Sequence, residues 1–253
     1  MTTTTASTAA YAAPLREPAA PPPRPSTAPP LPAPVAPLYE RIRAGREFGA
    51  NVRSTVDVLW VLYDRVLRVT PETVDDPGRD RFLLSKGHAV AGYYAVLAAK
   101  GFIPIDWLDG QGGPDSRLGE HPDRVLVPGV EIGSGSLGHG LGLGVGTALG
   151  LRAQGLLTPR VHVLLGDAEL DEGSNHEAIA YAGATGLGSL TAIVIDNGSA
   201  THGWPGGVAA RFTVNGWGAT TVDGHDHDAL HTALTGHDNH RPHVVVAVVE
   251  QGE

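Results

Sequence analysis

Residues 161–199 read VHVLLGDAELDEGSNHEAIAYAGATGLGSLTAIVIDNGS, and the order of apolar and polar blocks in this stretch decides the fold. Val161 to Leu165 and Leu190 to Ile195 are short apolar runs rich in β-branched residues, each of the right length for one strand. Between them a helical pattern runs from about Ser174 to Thr185. Strand, helix and strand in that order predict a right-handed crossover joining two parallel neighbours. Because both runs are apolar almost throughout, the sheet they enter must be covered on both faces.

The pattern extends in both directions. A last apolar run, Val244 to Val249, follows a helical stretch from Asp226 to about Leu234, repeating the alternation. Toward the amino terminus, Gly133-Ser134-Gly135-Ser136-Leu137-Gly138-His139-Gly140 runs into small and apolar residues up to about Leu151, a glycine-laden helix that must press against something flat. Ser85-Lys86-Gly87-His88 leads into another helix that Gly101 and Pro104 end. From Ser54, apolar residues at Val56, Leu59, Trp60, Tyr63, Val66 and Leu67 predict a helix of about four turns, with Ser54 and Asp57 spaced as a capping box. Asp109 to Pro128 has no periodicity and reads as a loop. Residues 1–37, almost wholly Thr, Ala, Ser and Pro, offer little to bury and read as a disordered tail, leaving residues 38–253 as one domain. The predicted class is α/β, with a mainly parallel sheet sandwiched by helices.

Composition narrows the chemistry. A net charge of −9 without any dense Lys/Arg run argues against nucleic acid or an anionic membrane as partner. With no cysteine, a disulfide framework, a thiolate metal site and a cysteine nucleophile are all excluded for these residues. The chain has no apolar run near the ~20 residues of a membrane span, and Met1 to Ala13 lacks the features of a signal peptide. The expected setting is cytoplasmic.

In a parallel sheet, ligands bind beyond the carboxyl ends of the strands. Gly166-Asp167-Ala168 follows one predicted strand and Asp196-Asn197-Gly198-Ser199 the next, so Asp167 and Asn197, 30 positions apart, can face one site with two hard oxygen donors. Mg²⁺ suits such donors, and a diphosphate would complete its shell. Taken singly, Asp167 also reads as a helix N-cap and Asn197 as a turn residue. Glycines 133, 135, 138 and 140 offer backbone N–H groups that a phosphate could approach.

In order, Ser85-Lys86-Gly87-His88, Gly135-Ser136-Leu137-Gly138-His139-Gly140, Gly166-Asp167-Ala168-Glu169-Leu170-Asp171-Glu172-Gly173 and Asp196-Asn197 resemble the amino-terminal domain of transketolases, as does Val222-Asp223-Gly224-His225-Asp226. The resemblance covers about residues 38–250 and implies a thiamine-diphosphate-binding fold. It implies Asp167, Asn197 and the backbone carbonyl of Ser199 as Mg²⁺ ligands, with Gly166 and Ala168 beside the diphosphate. His88 corresponds to a histidine near the diphosphate and the reacting carbon, and Gly135 and Leu137 to residues touching the cofactor. His121 corresponds to the histidine that contacts the donor sugar, and Glu172 and Glu177 to acidic residues that couple paired active sites at the subunit interface. The implied reaction cleaves a C–C bond of a ketose-type donor and transfers a two-carbon ketol or acyl unit to a small-molecule or carrier-protein-bound acceptor. Proton removal in the family needs a glutamate from a pyrimidine-binding domain, so the resemblance implies a second subunit carrying that domain, in an α2β2 heterotetramer.

Three positions depart from the family. Glu47-Phe48 stands where a Gly-His pair is expected, the tail after Val249 lacks the Lys/Gly-rich stretch, and Ala168 replaces the usual glycine. They argue against ordinary sugar-phosphate transfer and for a specialised pathway with another acceptor, a carrier-bound thiol or a small aldehyde. The missing histidine and short tail also leave room for a non-catalytic structural subunit. An α-like subunit of a 2-oxo-acid decarboxylating complex, which shares the cofactor and fold, is the nearer rival. Gly133 to Gly138 also satisfies the dinucleotide pattern G-x-G-x-x-G, but no acidic residue lies between Glu131 and Asp167 to take a ribose hydroxyl. The histidines at 225, 227, 231, 237, 240 and 243 raise zinc as a further reading, against that of a solvated helix with incidental histidines.

Overall fold

The computed structural model describes residues 21–44 and 53–251. Five strands form the sheet: β1 (Arg81–Leu84), β2 (Val161–Gly166), β3 (Leu190–Asp196), β4 (Gly218–Asp223) and β5 (His243–Val248). Their order is β1-β2-β3-β5-β4 and every pairing is parallel. The three long apolar runs predicted as strands are β2, β3 and β5, each buried along nearly its whole length. β1 and β4 were not anticipated. β1 has four residues and starts on an arginine, while β4 is an edge strand whose Ala219 to Asp223 are only half-buried, so neither shows a long apolar run.

Successive side chains of a strand point to opposite faces, and each face has its own core. Leu164, Ile193, Ile195, Val245 and Ala247 meet α1 (Ala36–Arg43), α2 (Val56–Val61), α3 (Val90–Ala99) and α7 (His227–Thr235). Val163, Leu165, Ala192, Val194, Val244 and Val246 meet α4 (His139–Ala153), α5 (Gly173–Ala184) and Phe212 of α6 (Gly207–Thr213). The glycines of α4 have a local reason: a Cβ on Gly144 would collide with Val163 Cγ2, so that helix reaches the sheet only because Gly144 lacks one. Trp217, fully buried, closes the second core by donating its indole N–H to the Ile179 carbonyl at 2.9 Å.

Two expectations need correction. The helix after Ser54 has Thr55 as its N-cap with no side-chain cap, and it passes into a π turn over Leu62–Val66. Asp57, read as half of a capping box, turns instead to His225 and His227, because two imidazoles in a buried site are stronger partners than a local N–H. Packing also begins before residue 38. Val35 is fully buried, Leu31 lies against the first core, and Arg24 is hydrogen-bonded at the sheet's edge. A proline-rich chain has little conformational freedom to lose, so a few contacts suffice to seat it. Residues 1–20 and the Glu47-Phe48 position lie outside the described residues. Among the described residues no helix is long and apolar enough to cross a membrane.

Candidate functional site at the carboxyl edge of the sheet

The register places Gly166 of β2 beside Ile195 of β3, so the turns that follow emerge side by side. The Asp167 N–H continues the ladder by donating to the Ile195 carbonyl at 3.0 Å. Asp167 and Asn197 are 3% and 2% exposed, too buried for solvated turn residues. Asp167 serves as an N-cap after all, with Oδ1 accepting the Ala168 N–H at 2.9 Å. The same carboxylate also gathers the loop after β3: Oδ1 accepts the Ser199 hydroxyl at 2.6 Å, and Oδ2 accepts the N–H groups of Ser199 at 2.8 Å and Ala200 at 3.3 Å. Ser199, expected to offer its carbonyl, thus presents its N–H and hydroxyl to Asp167.

Beneath this pair lies Glu169, a residue whose place in the sequence gave it no assigned role. It is 1% exposed and accepts the Gly138 N–H at 3.0 Å, the Gly166 N–H at 3.3 Å and the Ser85 hydroxyl. Ser85 Oγ in turn accepts the Gly140 N–H at 3.0 Å. Two of the four glycine N–H groups expected to face a phosphate are therefore engaged inside the protein. Burial drives the Glu169 carboxyl above the usual range, against the hydrogen bonds from Ser85, Gly138 and Gly166 that favour its charged form. Lys86 lies beside it, its stem against Gly166 and its Nζ 3.3 Å from Thr55 Oγ1. Burial lowers the lysine to about 8 despite the opposing charges of Asp167, Glu169 and Glu250.

The glycine segment links this buried group to a pair of exposed histidines. The His88 and His121 rings stand 5.9 Å apart, edge to face. Gly87 and Gly135 make that approach possible: a Cβ on Gly87 would stand 2.9 Å from the His121 ring, and one on Gly135 3.0 Å from it. Tyr94 fixes the loop by donating its hydroxyl to the His121 carbonyl at 3.0 Å. His88, Gly135 and His121 are thus brought together, with Leu137 half-buried two residues further on. Glu172 is the N-cap of α5 and Glu177 lies in its first turns; both are exposed, and the Glu172 stem is next to Gly138.

A second charged group on this edge joins residues far apart in sequence. His225 is held between Asp57 Oδ2 at 2.8 Å and Glu250 Oε2 at 2.7 Å, and His227 Nε2 meets Asp57 Oδ1 at 2.7 Å. Burial alone would lower His225, but hydrogen bonds to both carboxylates outweigh it and push the imidazole up to about 9. Glu250 occupies part of the tail that departs from the transketolase pattern. As for the zinc reading, no group of three or more His, Asp or Glu side chains is placed to hold a metal among the described residues. His227 is engaged with Asp57, and the rings of His237 and His243 stack 4.4 Å apart.

A buried carboxylate and a buried amide on adjacent turns make a hard-oxygen donor set suited to Mg²⁺ with a phosphate co-ligand rather than to zinc. Comparison with known proteins bears on the diphosphate alone. Residues 43–250 match the family described as transketolase, thiamine diphosphate binding domain. The chain is 53% identical over 212 residues to a protein named ferredoxin fas2 from Rhodococcoides fascians, covering 84% of this chain and 70% of that one. It is 37% identical over 216 residues to a subunit of the apulose-4-phosphate transketolase of Actinobacillus succinogenes, covering 83% and 78%. The fold superposes on a Pichia stipitis transketolase solved with sedoheptulose-7-phosphate at a TM-score of 0.68 and 26% identity, covering 85% of this chain. The chain spans 36% of the length of that transketolase.

Proposed function

This chain belongs to the transketolase family, through its thiamine diphosphate binding domain, and from that we propose that it is the diphosphate-holding subunit of a split, Mg²⁺-dependent transketolase-like enzyme of the cytoplasm. The convergence of buried Asp167 and Asn197 on adjacent parallel strand ends carries this reading. Asp167, Asn197 and the Ser199 carbonyl would hold Mg²⁺, with Gly166 and Ala168 against the diphosphate. A cation there competes with the hydrogen bonds that Ser199 now gives Asp167. Bound at this edge, thiamine diphosphate supplies the carbon nucleophile and electron sink that C–C cleavage needs.

The chain's own residues do the rest. His88 and His121 stand on the exposed side of the glycine segment, where imidazoles can hydrogen-bond a donor's hydroxyls. Leu137 and Gly135 would line the cofactor's path between those histidines and Asp167. Glu172 and Glu177, exposed at the start of α5, are free to meet a neighbouring subunit. That neighbour would supply the pyrimidine-binding domain and the catalytic glutamate in an α2β2 assembly, as the relative named as one subunit of a transketolase suggests. The same relative favours a ketose-type donor over a 2-oxo acid. Transfer of the two-carbon unit to a carrier-bound acceptor is part of the same proposal. The name ferredoxin does not carry over, because iron–sulfur clusters are held by cysteine thiolates and these 253 residues contain none.

Calorimetric titration with thiamine diphosphate and Mg²⁺, on the chain alone and with its candidate partner, tests the reading. Mg²⁺-dependent binding that strengthens with the partner and is lost in Asp167→Ala is expected. Absence of binding in both samples would leave the chain a non-catalytic, structural role.

A further inference from the structure

The segment before α1 reaches the edge where the cofactor is proposed to bind. Its residues 21–35 lie ahead of the family match, which starts at residue 43. Arg24 Nη1 donates to the carbonyls of Asp196 at 2.6 Å and Val249 at 2.8 Å, and Nη2 donates to Asp196 Oδ1 at 2.7 Å. The guanidinium thus joins the carboxyl ends of β3 and β5, which are already linked by the Val249 N–H to the Asp196 carbonyl at 3.1 Å. It also covers Gly198, where a Cβ would stand 3.5 Å from Arg24 Cζ. The Asp196 carboxylate that receives Arg24 accepts the Gly198 N–H at 3.2 Å as well, so one side chain sets the turn on both sides of Asn197.

Two more anchors hold the segment. Arg53, just before α2, donates to the Pro29 carbonyl, and Leu31 and Val35 enter the first core. Prolines at 21, 22, 23, 25, 29, 30, 32 and 34 restrict the chain between these points, which lowers the entropy lost on docking. An isolated exposed ion pair would contribute little. Arg24 differs because two of its three bonds go to strand-end carbonyls, and because its planar fork fixes direction as well as charge.

We propose that residues 21–35 form a strap across the cofactor edge and that Arg24 is a positioning residue: by fixing Asp196 and covering Gly198 it holds Asn197 in place at the edge where the cation and diphosphate are proposed to bind. The cofactor half of this proposal rests on the proposed function; the ordering of the turn does not. The test uses the full chain with Arg24→Gln and Arg24→Lys. Amide hydrogen exchange at Gly198, Ser199 and Val249, without ligand, reads the turn directly, and a titration with Mg²⁺ and thiamine diphosphate reads the site. Arg24→Gln is expected to speed exchange at these amides about tenfold, the equivalent of about 1.4 kcal/mol, and to weaken binding by a similar factor with the melting temperature nearly unchanged. Arg24→Lys falls between. Unchanged exchange overturns the strap. Faster exchange with unchanged binding overturns the positioning role, and tighter binding would make the strap a competitor of the cofactor. If the wild-type chain and its complex bind no thiamine diphosphate, the proposed function fails and the positioning role with it, while exchange still decides whether Arg24 orders the turn.

Discussion

Gly140→Ala should destabilise the chain, while Gly146→Ala, six residues on in the same helix, should stabilise it. Gly140 is buried at the start of α4, and a methyl there would stand 2.9 Å from Ser85 Cα and closer still to its Cβ and Oγ. Ser85 has no free direction in which to move, because its hydroxyl donates to Glu169 and accepts the Gly140 N–H. Overpacking of this kind costs about 1–3 kcal/mol, and a disturbed hydrogen bond to a buried carboxylate about 1.5–3 kcal/mol more. The better helix propensity of alanine returns about 1 kcal/mol. The net loss is about 2–5 kcal/mol, which for a chain of this size lowers Tm by roughly 5–15 °C. Gly146 is exposed and a Cβ there meets nothing within 4 Å, so only the propensity term remains, raising Tm by about 2–3 °C. Thermal and urea unfolding followed by circular dichroism measures both variants. Shifts of the same sign, or no loss in Gly140→Ala, would refute the claim that α4 is seated on Ser85.

Two further outcomes concern pH. His225 is held up to about 9 in the folded chain, against about 6.5 unfolded; the stability it contributes is therefore complete below about pH 6.5 and is lost as pH rises toward 9. Urea midpoints between pH 6 and 9.5 should fall in the wild type and flatten in His225→Gln; parallel slopes in the two proteins would sink this assignment. At the acid end, burial alone would raise the Asp80 carboxyl, but bonds from Arg68 and from the Arg160 N–H outweigh it and hold it below the usual range. Its contribution is present above about pH 4 and lost as pH falls through the lowered value. Asp80→Asn should cost about 2–3 kcal/mol at pH 7 and weaken the dependence of stability on pH below 4, an expectation that equal acid midpoints for the two proteins would contradict.

How much of this molecule could be read in advance depended on where the deciding interaction lay. β2, β3 and β5 were legible because strands buried on both faces have to be apolar along their length. Asp167 and Asn197 were legible as a pair because parallel crossovers force consecutive strand ends to one edge. Glu169 lies inside a recognised motif, yet its position gave no hint that Ser85, Gly138 and Gly166 would all turn to it. Asp57 was misread as a helix cap because its true partners, His225 and His227, are 168 and 170 positions away. Arg24 was lost in a composition that usually marks an unstructured tail.

The sequence by itself determined the alternation of strands and helices, the doubly covered parallel sheet and the edge on which chemistry should sit. These follow from side-chain periods of about 2 and 3.6 and from chain handedness, which are properties of neighbouring residues. Only the tertiary structure decided which polar groups face one another: Glu169 with Ser85, His225 between Asp57 and Glu250, and the exposed Arg24 across the strand-end carbonyls of β3 and β5. The physical reason is that a buried polar group must find a partner wherever the packed chain supplies one, and for these residues the partners lie 25 to 225 positions away.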